Sequence, residues 1–420
     1  MANSESLGIS VDIGTTNITL HLIDIESSNL LSELVVPNPQ REFGEEIVSR
    51  MDFARNRENA LKLTTSVRQT ISNAIRKMVS EAKLIAKSVD SVVIVGNTTM
   101  HHLFFDLPTD SLMRPPYVAE YKDAILIHAS DVDLPFAHET SCYSPPIIES
   151  YVGTDAIAMM IASGFPDSER NIISIDVGTN TELAIMTKEN IWVASAASGP
   201  AFEGMSIQCG MPGDSGAIHS VKIDVPDLQP NYEVIGGGRP IGICGTGVVS
   251  AIASMLDAGI LHPRGSFNRS ISSPWLVLDS PIVHYVITVA HESSTGSSIV
   301  MTQPDVRMLQ QSKAAIRAAF ELLLEHANLI SDDIHQLNLT GVFGSGLSFD
   351  AALRIGLFPV LSSSEVRQIS GGAIQGADLL HVEKYRQNAE RIASEAIHVN
   401  LTDNLEFKTK FAQFITFPSK

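Results

Sequence analysis

Two segments of the sequence repeat one pattern, and this repeat constrains the fold more than any other feature. Residues 9–16 read ISVDIGTT, and residues 173–180 read ISIDVGTN. In each copy, alternating apolar residues lead into Asp-x-Gly-Thr, and a second strand-like stretch follows at 18–23 or at 183–186. Each copy is therefore predicted to form a strand, a tight turn and a second strand. Two copies with the same order and flanks predict a duplicated architecture.

Helical and strand patterns alternate between the two copies. Apolar residues at helical spacing over 67–82 precede an apolar strand at 91–95 and a polar turn at 96–99. A helix rich in small residues, at 151–164, leads into the second copy. The sequence therefore predicts an α/β fold. Residues 107–147 are rich in Pro and Asp and have no clear periodicity, which predicts a surface insertion.

The rest of the chain continues the α/β pattern. The sequence predicts a glycine-rich turn at 241–250 that opens a helix to about 261, and a helix from a capping box at 302–305 to about 326. A strand at 337–343 and a turn at 344–346 follow. The predicted elements after them are a small-residue helix from 371 to 377 and, from 388, one more helix with a strand-rich end. The predicted domains are 1–164 with about 371–420, and 165–370.

Composition excludes several classes of function. The 420 residues carry a formal net charge of −18, which argues against a sequence-independent grip on nucleic acid because such a grip needs clustered Lys and Arg. The start of the chain has no basic region before an apolar stretch, and no apolar run is long enough to span a bilayer. We expect no membrane or nucleic-acid partner, and a cytoplasmic location.

The three cysteines, Cys142, Cys209 and Cys244, are far apart and form no Cys-x-x-Cys pair. This spacing predicts reduced thiols and argues against a disulfide framework or a cysteine-ligated zinc or iron–sulfur centre in this chain.

The two Asp-x-Gly-Thr turns offer what a magnesium nucleotide requires, namely close backbone N–H donors, hydroxyl groups and carboxylates. The alternative is a pair of ordinary hairpin turns with Asp at a turn-favoured position. The candidate residues are the metal-binding acids Asp12 and Asp176, the glycines Gly14 and Gly178, and the polar residues Thr15, Thr16, Thr179 and Asn180.

Other candidates lie outside the two turns. Asp155 could reach magnesium or the attacking water, or could simply favour the N-terminus of its helix. Glu203, in the glycine-rich segment 198–204, could orient water or be a solvated surface residue. Two glycine-rich turns could flank the ribose and adenine or serve packing alone. The first comprises Gly245, Thr246 and Gly247, and the second comprises Gly344, Ser345 and Gly346.

Five of these elements, in this order, resemble the superfamily of sugar kinases, heat-shock chaperones and actin. They are the first phosphate turn at 12–16, a connecting helix at 154–164, the second phosphate turn at 176–180, an adenosine turn at 341–347 and a second connecting helix at 371–378. The resemblance implies two ribonuclease H-like domains of the actin-like ATPase fold with a nucleotide cleft between them. It further implies that Asp12, Asp155 and Asp176 are magnesium-site acids and that 344–346 contacts adenosine.

Within that superfamily, the sequences of several motifs most resemble those of the reductive activators of corrinoid proteins. The matching segments are VGNTTMHH at 95–102, DVGTNTE at 176–182, SGPAFEG at 198–204, GICGTG at 242–247 and TQPDVR at 302–307. The resemblance implies ATP, Mg²⁺ and a corrinoid protein partner whose cobalt is reduced from Co(II) to Co(I).

Members of that family usually carry an iron–sulfur domain, and this sequence has no cysteine cluster. We therefore expect the electron to come from a separate iron–sulfur domain or protein, and a homodimer is the default assembly. A small-molecule kinase and a nucleotide-switched regulator remain the alternatives.

Overall fold

The computed structural model describes residues 6–82, 89–136, 139–341, 346–362 and 364–419. They form two compact units. Unit 1 comprises the described parts of Met1–Glu169, Lys188–Val193 and Gly371–His398, and unit 2 those of Arg170–Thr187, Ala194–Ser370 and Val399–Lys420.

The helices and strands alternate along the chain. Up to residue 169 they are β1 (Leu7–Ile13), β2 (Asn17–Asp24), β3 (Asn29–Pro37), α1 (Ile47–Ala54), α2 (Arg57–Glu81), β4 (Val89–Gly96), α3 (Thr98–Phe105), α4 (Asp110–Met113), β5 (Ile125–His128), β6 (Ser141–Ser144) and α5 (Thr154–Ala162). From residue 170 they are β7 (Ile172–Val177), β8 (Thr181–Met186), β9 (Ile191–Ala196), β10 (Ala217–Asp224), β11 (Gln229–Val234), β12 (Gly242–Ile243), α6 (Gly245–Asp257), β13 (Leu276–Val277), β14 (His284–Thr288), β15 (Ile299–Thr302), α7 (Gln303–His326), β16 (Gln336–Gly341), α8 (Phe349–Ile355), β17 (Glu365–Gln368), α9 (Gly372–Leu379), α10 (Glu383–Glu395), β18 (Ala396–His398) and α11 (Leu405–Phe414).

Unit 1 is built around a sheet with the strand order β3-β2-β1-β4-β6-β5. Strands β1, β2 and β3 are antiparallel neighbours, whereas β4 runs parallel to β1. The predicted apolar face of α2 is buried against this sheet in one hydrophobic core, with Val67 and Ile71 fully buried. Asn56 fixes the start of α2 because its side chain accepts hydrogen bonds from the N–H groups of Glu58 and Asn59.

The prediction of a surface insertion at 107–147 is wrong. This segment supplies β5 and β6, which extend the sheet beyond β4, and Cys142 and Tyr143 of β6 are buried. Each of these strands has only four residues, and neither ILIH nor SCYS shows the alternation of apolar and polar residues from which strands are predicted.

Unit 2 repeats the arrangement of strands around the second copy of the pattern. In unit 1, β1 pairs with β2 antiparallel and with β4 parallel; in unit 2, β7 pairs with β8 antiparallel and with β16 parallel. Strand β17 continues the sheet beside β16. The predicted strand–turn–strand duplication is therefore confirmed. Two further three-stranded sheets have the orders β11-β10-β12 and β13-β14-β15.

Helix α7 begins at the capping box that the sequence predicts. The Thr302 hydroxyl accepts from the N–H of Asp305, and an Asp305 carboxylate oxygen accepts from the N–H of Thr302 at 2.8 Å. Two backbone donors at the helix start are therefore satisfied reciprocally.

The C-terminal tail, residues 399–419, lies in unit 2, whereas the predicted first domain includes it together with 371–398. Its main element is the helix α11 and not the expected strand-rich end. Two buried side chains of α7 donate to its carbonyl oxygens, Gln310 to Ile415 at 2.8 Å and Lys313 to Thr416 at 2.6 Å. These buried polar contacts to α7 are long-range in sequence, so local patterns do not reveal them.

Across the described residues, no helix is both long and apolar enough to cross a membrane.

Candidate functional site

The first Asp-x-Gly-Thr turn links β1 to β2. Asp12 is the penultimate residue of β1 and is partly buried, and Thr15 and Thr16 are partly exposed in the turn. A Cβ atom on Gly14 would lie 2.7 Å from the carbonyl oxygen of Asn17, which only glycine avoids. The turn is therefore tight, and its backbone is accessible where the sequence predicts phosphate.

Buried side chains hold the carbonyl groups of this turn. The side-chain amide of Asn38 donates to the carbonyl oxygen of Gly14 at 2.8 Å, and its backbone N–H donates to that of Thr16 at 2.8 Å. The guanidinium of Arg50 donates to the carbonyl oxygen of Thr15 at 2.7 Å. Asn38 and Arg50 are not among the residues predicted from the sequence, because no motif or periodicity marks them.

The second turn links β7 to β8 and has the same design. Gly178 lies beside Glu203, because a Cβ atom on the glycine would approach Glu203 Oε1 to 3.4 Å. The exposed Thr179 donates its hydroxyl to the same carboxylate at 2.8 Å, and Asn180, the next residue, is also exposed. Glu203 ends a short 3-10 helix, Pro200–Glu203. The structure thus places Glu203 at the second turn, hydrogen-bonded to it.

Neutral donors hold the carbonyl groups of the second turn. The hydroxyl of Ser198 donates to the carbonyl oxygen of Gly178 at 2.9 Å, and the N–H of Gly199 donates to that of Thr179 at 2.9 Å. The equivalent oxygen in the first turn, that of Thr15, is held by a charged group instead.

Asp176 is in an environment that disfavours its negative charge. Burial raises the pKa of its carboxyl group and the charge of Glu203 raises it further, whereas the neighbouring Thr340 opposes both effects. Gly341, at the end of β16, has φ +67°, and a Cβ atom there would collide with the Asp176 carboxylate. The Asp176 carboxylate, with the charge of Glu203 close enough to act on it, supplies hard oxygen donors of the kind that suit a divalent cation.

Among the described residues, no group of three or more His, Cys, Asp and Glu side chains is placed to hold a metal ion. A magnesium ion at the second turn would therefore take one or two carboxylates, with water and phosphate oxygens as its other ligands, which is the usual way that proteins bind this ion.

Asp155 lies in the first turn of α5, and its carboxylate accepts from the N–H of Ala156 at 2.8 Å. This contact favours the helix-terminus interpretation, and a role at magnesium stays a prediction. The hydroxyl of Thr154 bonds both the N–H and the carbonyl group of Gly96, each at 2.9 Å. The start of α5 is thereby fixed to the end of β4; the predicted polar turn at 96–99 is in fact the end of β4 and the start of α3, with Asn97 as the N-cap.

The two predicted connecting helices correspond to α5 and α9, which cross in unit 1. A Cβ atom on Gly376 of α9 would overlap the backbone of Ala158 in α5, so the helices approach more closely than larger side chains permit.

The glycines of the turn at 245–247 are explained by packing. Cβ atoms on Gly245 and Gly247 would overlap the carbonyl oxygens of Phe202 and Ile218, and both glycines are buried. Thr246, between them, is partly exposed. A role of this turn at adenosine stays a prediction.

The other proposed adenosine turn is only partly described. Gly344 and Ser345 lie outside the described residues. Gly346 is exposed, with φ +79°.

Two protein-family models match the chain. Residues 170–420 match the "C-terminal domain of RACo the ASKHA domain", and residues 7–168 match the "RACo middle region". Together they account for nearly the whole chain.

Individual relatives agree with this match. The chain is 32% identical over 409 residues to the corrinoid activation enzyme RamQ of Eubacterium limosum, and the alignment covers 95% of this chain and 68% of that protein. It is 26% identical over 422 residues to the [Co(II) methylated amine-specific corrinoid protein] reductase of Methanosarcina barkeri, covering 90% and 70% of the two chains. A solved structure described as a reductive activator for corrinoid, iron–sulfur protein superposes with a TM-score of 0.88 at 29% identity, covering 100% of this chain and 67% of the other. The chain therefore belongs to the RACo family, and it has the actin-like ATPase fold of the family's ASKHA domain.

Proposed function

We propose that this chain is an enzyme that couples ATP hydrolysis to the reductive activation of a corrinoid protein. The proposal is carried by the second turn, where Asp176 and Glu203 lie together beside accessible backbone, in a member of the RACo family. The names of the relatives, one for corrinoid activation and one for reduction of a Co(II) corrinoid protein, support this choice of substrate.

In this proposal each of the two turns offers backbone N–H groups and hydroxyls to phosphate. Gly14 and Gly178 allow the close approach, and Asp12 and Asp176 are each magnesium-site acids that would act directly or through water. Magnesium, when bound, would neutralise charge that develops on the phosphates. Glu203, fixed by Thr179, orients the attacking water and accepts its proton.

The overall reaction balances as two coupled processes. ATP and water give ADP and phosphate, and one electron passes from an iron–sulfur domain or protein to Co(II), which becomes Co(I). ATP can promote this reduction only by binding one state of the complex more tightly than another. We propose that this difference in affinity arises from an ATP-dependent closure of the enzyme that changes the cobalt environment of the bound partner.

The test is a reduction assay with the purified chain, Mg²⁺, a Co(II) corrinoid protein and a strong artificial reductant in place of the iron–sulfur donor. Formation of Co(I), followed by absorption spectroscopy, should require ATP and should fail with Asp176→Asn. The matched control is Asp332→Asn, which removes an exposed carboxylate elsewhere in unit 2 and should leave the rate unchanged. Equal Co(I) formation with and without ATP would contradict the proposal.

A further inference from the structure

Arg50 is a fully buried cation behind the first phosphate turn. Its side chain, on α1, is 0% exposed, and its guanidinium donates to the carbonyl oxygens of Thr15 at 2.7 Å and Gly44 at 2.8 Å. Among the described residues, no carboxylate lies within 4.0 Å of it, the limit for an ion pair. The nearest acidic influence is that of Glu45, which only partly offsets the effect of burial. Burial lowers the pKa of Arg50 to about 10, so the group remains charged at neutral pH.

Burying a charge without a paired counter-charge is costly, so its position calls for a physical reason. Orienting the turn does not by itself require a cation. In the second turn, the backbone N–H of Gly199 holds the carbonyl oxygen of Thr179, the equivalent of Thr15. A neutral donor therefore suffices for the geometry, and the charge of Arg50 is an additional property of the first turn.

The hydrogen bonds also fix which way the turn presents its donors. In a trans peptide the C=O and the following N–H point in opposite directions. Asn38 draws the carbonyl group of Gly14 into the protein and Arg50 draws that of Thr15. The N–H groups of Thr15 and Thr16 are thereby turned away from those buried side chains, toward the side where an anion can bind.

We propose that Arg50 is a positioning residue of the phosphate turn, and that its buried positive charge makes this turn selective for nucleotides with several phosphates over the uncharged nucleoside. The inference rests on the proposed function, because it takes the ligand of the turn to be ATP. The residue acts through Thr15 and through its charge, without a direct contact to the nucleotide.

The experiment measures the affinities of the whole chain for ATP, ADP and adenosine, in the presence of Mg²⁺, by calorimetry. Arg50→Gln should lower ATP affinity by about tenfold or more, because the phosphates would lose the attraction of a buried positive charge that water screens little. Adenosine affinity should be unchanged, because adenosine has no phosphate to sense the charge. Arg50→Lys, which keeps the charge but loses the planar fork of donors, should show a smaller loss that is again specific to the phosphorylated ligands.

Lys313→Met is the matched control, because Lys313 is also a buried basic side chain that donates to a backbone carbonyl, that of Thr416. It should lower thermal stability and leave the ratio of ATP to adenosine affinity unchanged. If Arg50→Gln does not fold, Arg50→Lys decides the question. Parallel losses of ATP and adenosine affinity, or no loss, in a folded Arg50 variant would overturn the inference while the proposed function stands. Failure of the wild-type chain to bind ATP would overturn both.

Discussion

Replacing Gly341 by alanine should slow ATP hydrolysis far more than the addition of one methyl group suggests. Gly341 has φ +67°, and the new Cβ atom would lie 2.2 Å from Oδ1 of Asp176, whereas ordinary contact begins at 3.4 Å. The left-handed backbone costs alanine about 1 kcal/mol. In addition, the Asp176 carboxylate and the carbonyl oxygen of Val177, which would lie 2.3 Å from the new atom, would each have to retreat by roughly 1 Å, and a misplacement of that size at a catalytic group costs on the order of a hundredfold in rate.

The assay is steady-state ATP hydrolysis, with urea unfolding measured on the same samples. The control is Gly296→Ala, since Gly296 has φ +70° but its added Cβ would meet no described atom within 4 Å. That variant should lose only about 1 kcal/mol of stability and should keep its turnover. Equal turnover in the two variants would refute the argument that the position of Asp176 limits hydrolysis.

Three further predictions concern single residues. Asp176→Asn should nearly abolish ATP hydrolysis yet raise the free energy of unfolding of the ligand-free protein at neutral pH. The reason is that burial and Glu203 raise the pKa of Asp176 and make its charge costly in the folded state. A folded variant that unfolds at a lower urea concentration than the wild type would contradict the predicted gain in stability. Gly376→Ala should destabilise unit 1 by about 1–3 kcal/mol, measured by urea unfolding, because α5 and α9 must separate; an unchanged midpoint would contradict the close crossing. Burial lowers the pKa of His381 to about 3. The contribution of this residue to the free energy of unfolding is therefore complete above pH 6.5, and it falls by up to about 1.4 kcal/mol per pH unit as the pH drops toward 3. His381→Gln should have a shallower pH dependence of unfolding in that range, and an identical slope would exclude the contribution.

The part of the fold that could be predicted is the part whose signals are local. The two strand–turn–strand copies are marked by alternation that leads into Asp-x-Gly-Thr, and α7 is marked by its capping box. These patterns arise from period and hydrogen bonding within a few residues, so a single sequence carries them in full.

The remaining features depend on contacts between residues far apart in sequence. Strands β5 and β6 are stabilised by their neighbours in the sheet and not by their own four-residue patterns. At the site, Glu203 could be named as a candidate because its loop is rich in glycine, but its bond to Thr179 spans 24 positions. Arg50 reaches Thr15 across 35 positions, and nothing local distinguishes it from an ordinary helix arginine.

The attachment of the C-terminal tail to α7 has a practical consequence for anyone who handles this protein. A protease that cuts just before Ile415 would remove the acceptor of Lys313, the carbonyl oxygen of Thr416, together with the ring of Phe417 that lies 5.4 Å from the Lys313 ammonium. The lysine amine would then be left inside the protein with neither partner, which is far more damaging than the loss of a few terminal residues. A preparation nicked at this point should therefore melt early and aggregate while still migrating almost normally on a gel, and its intact mass becomes a more sensitive measure of sample quality than its apparent purity.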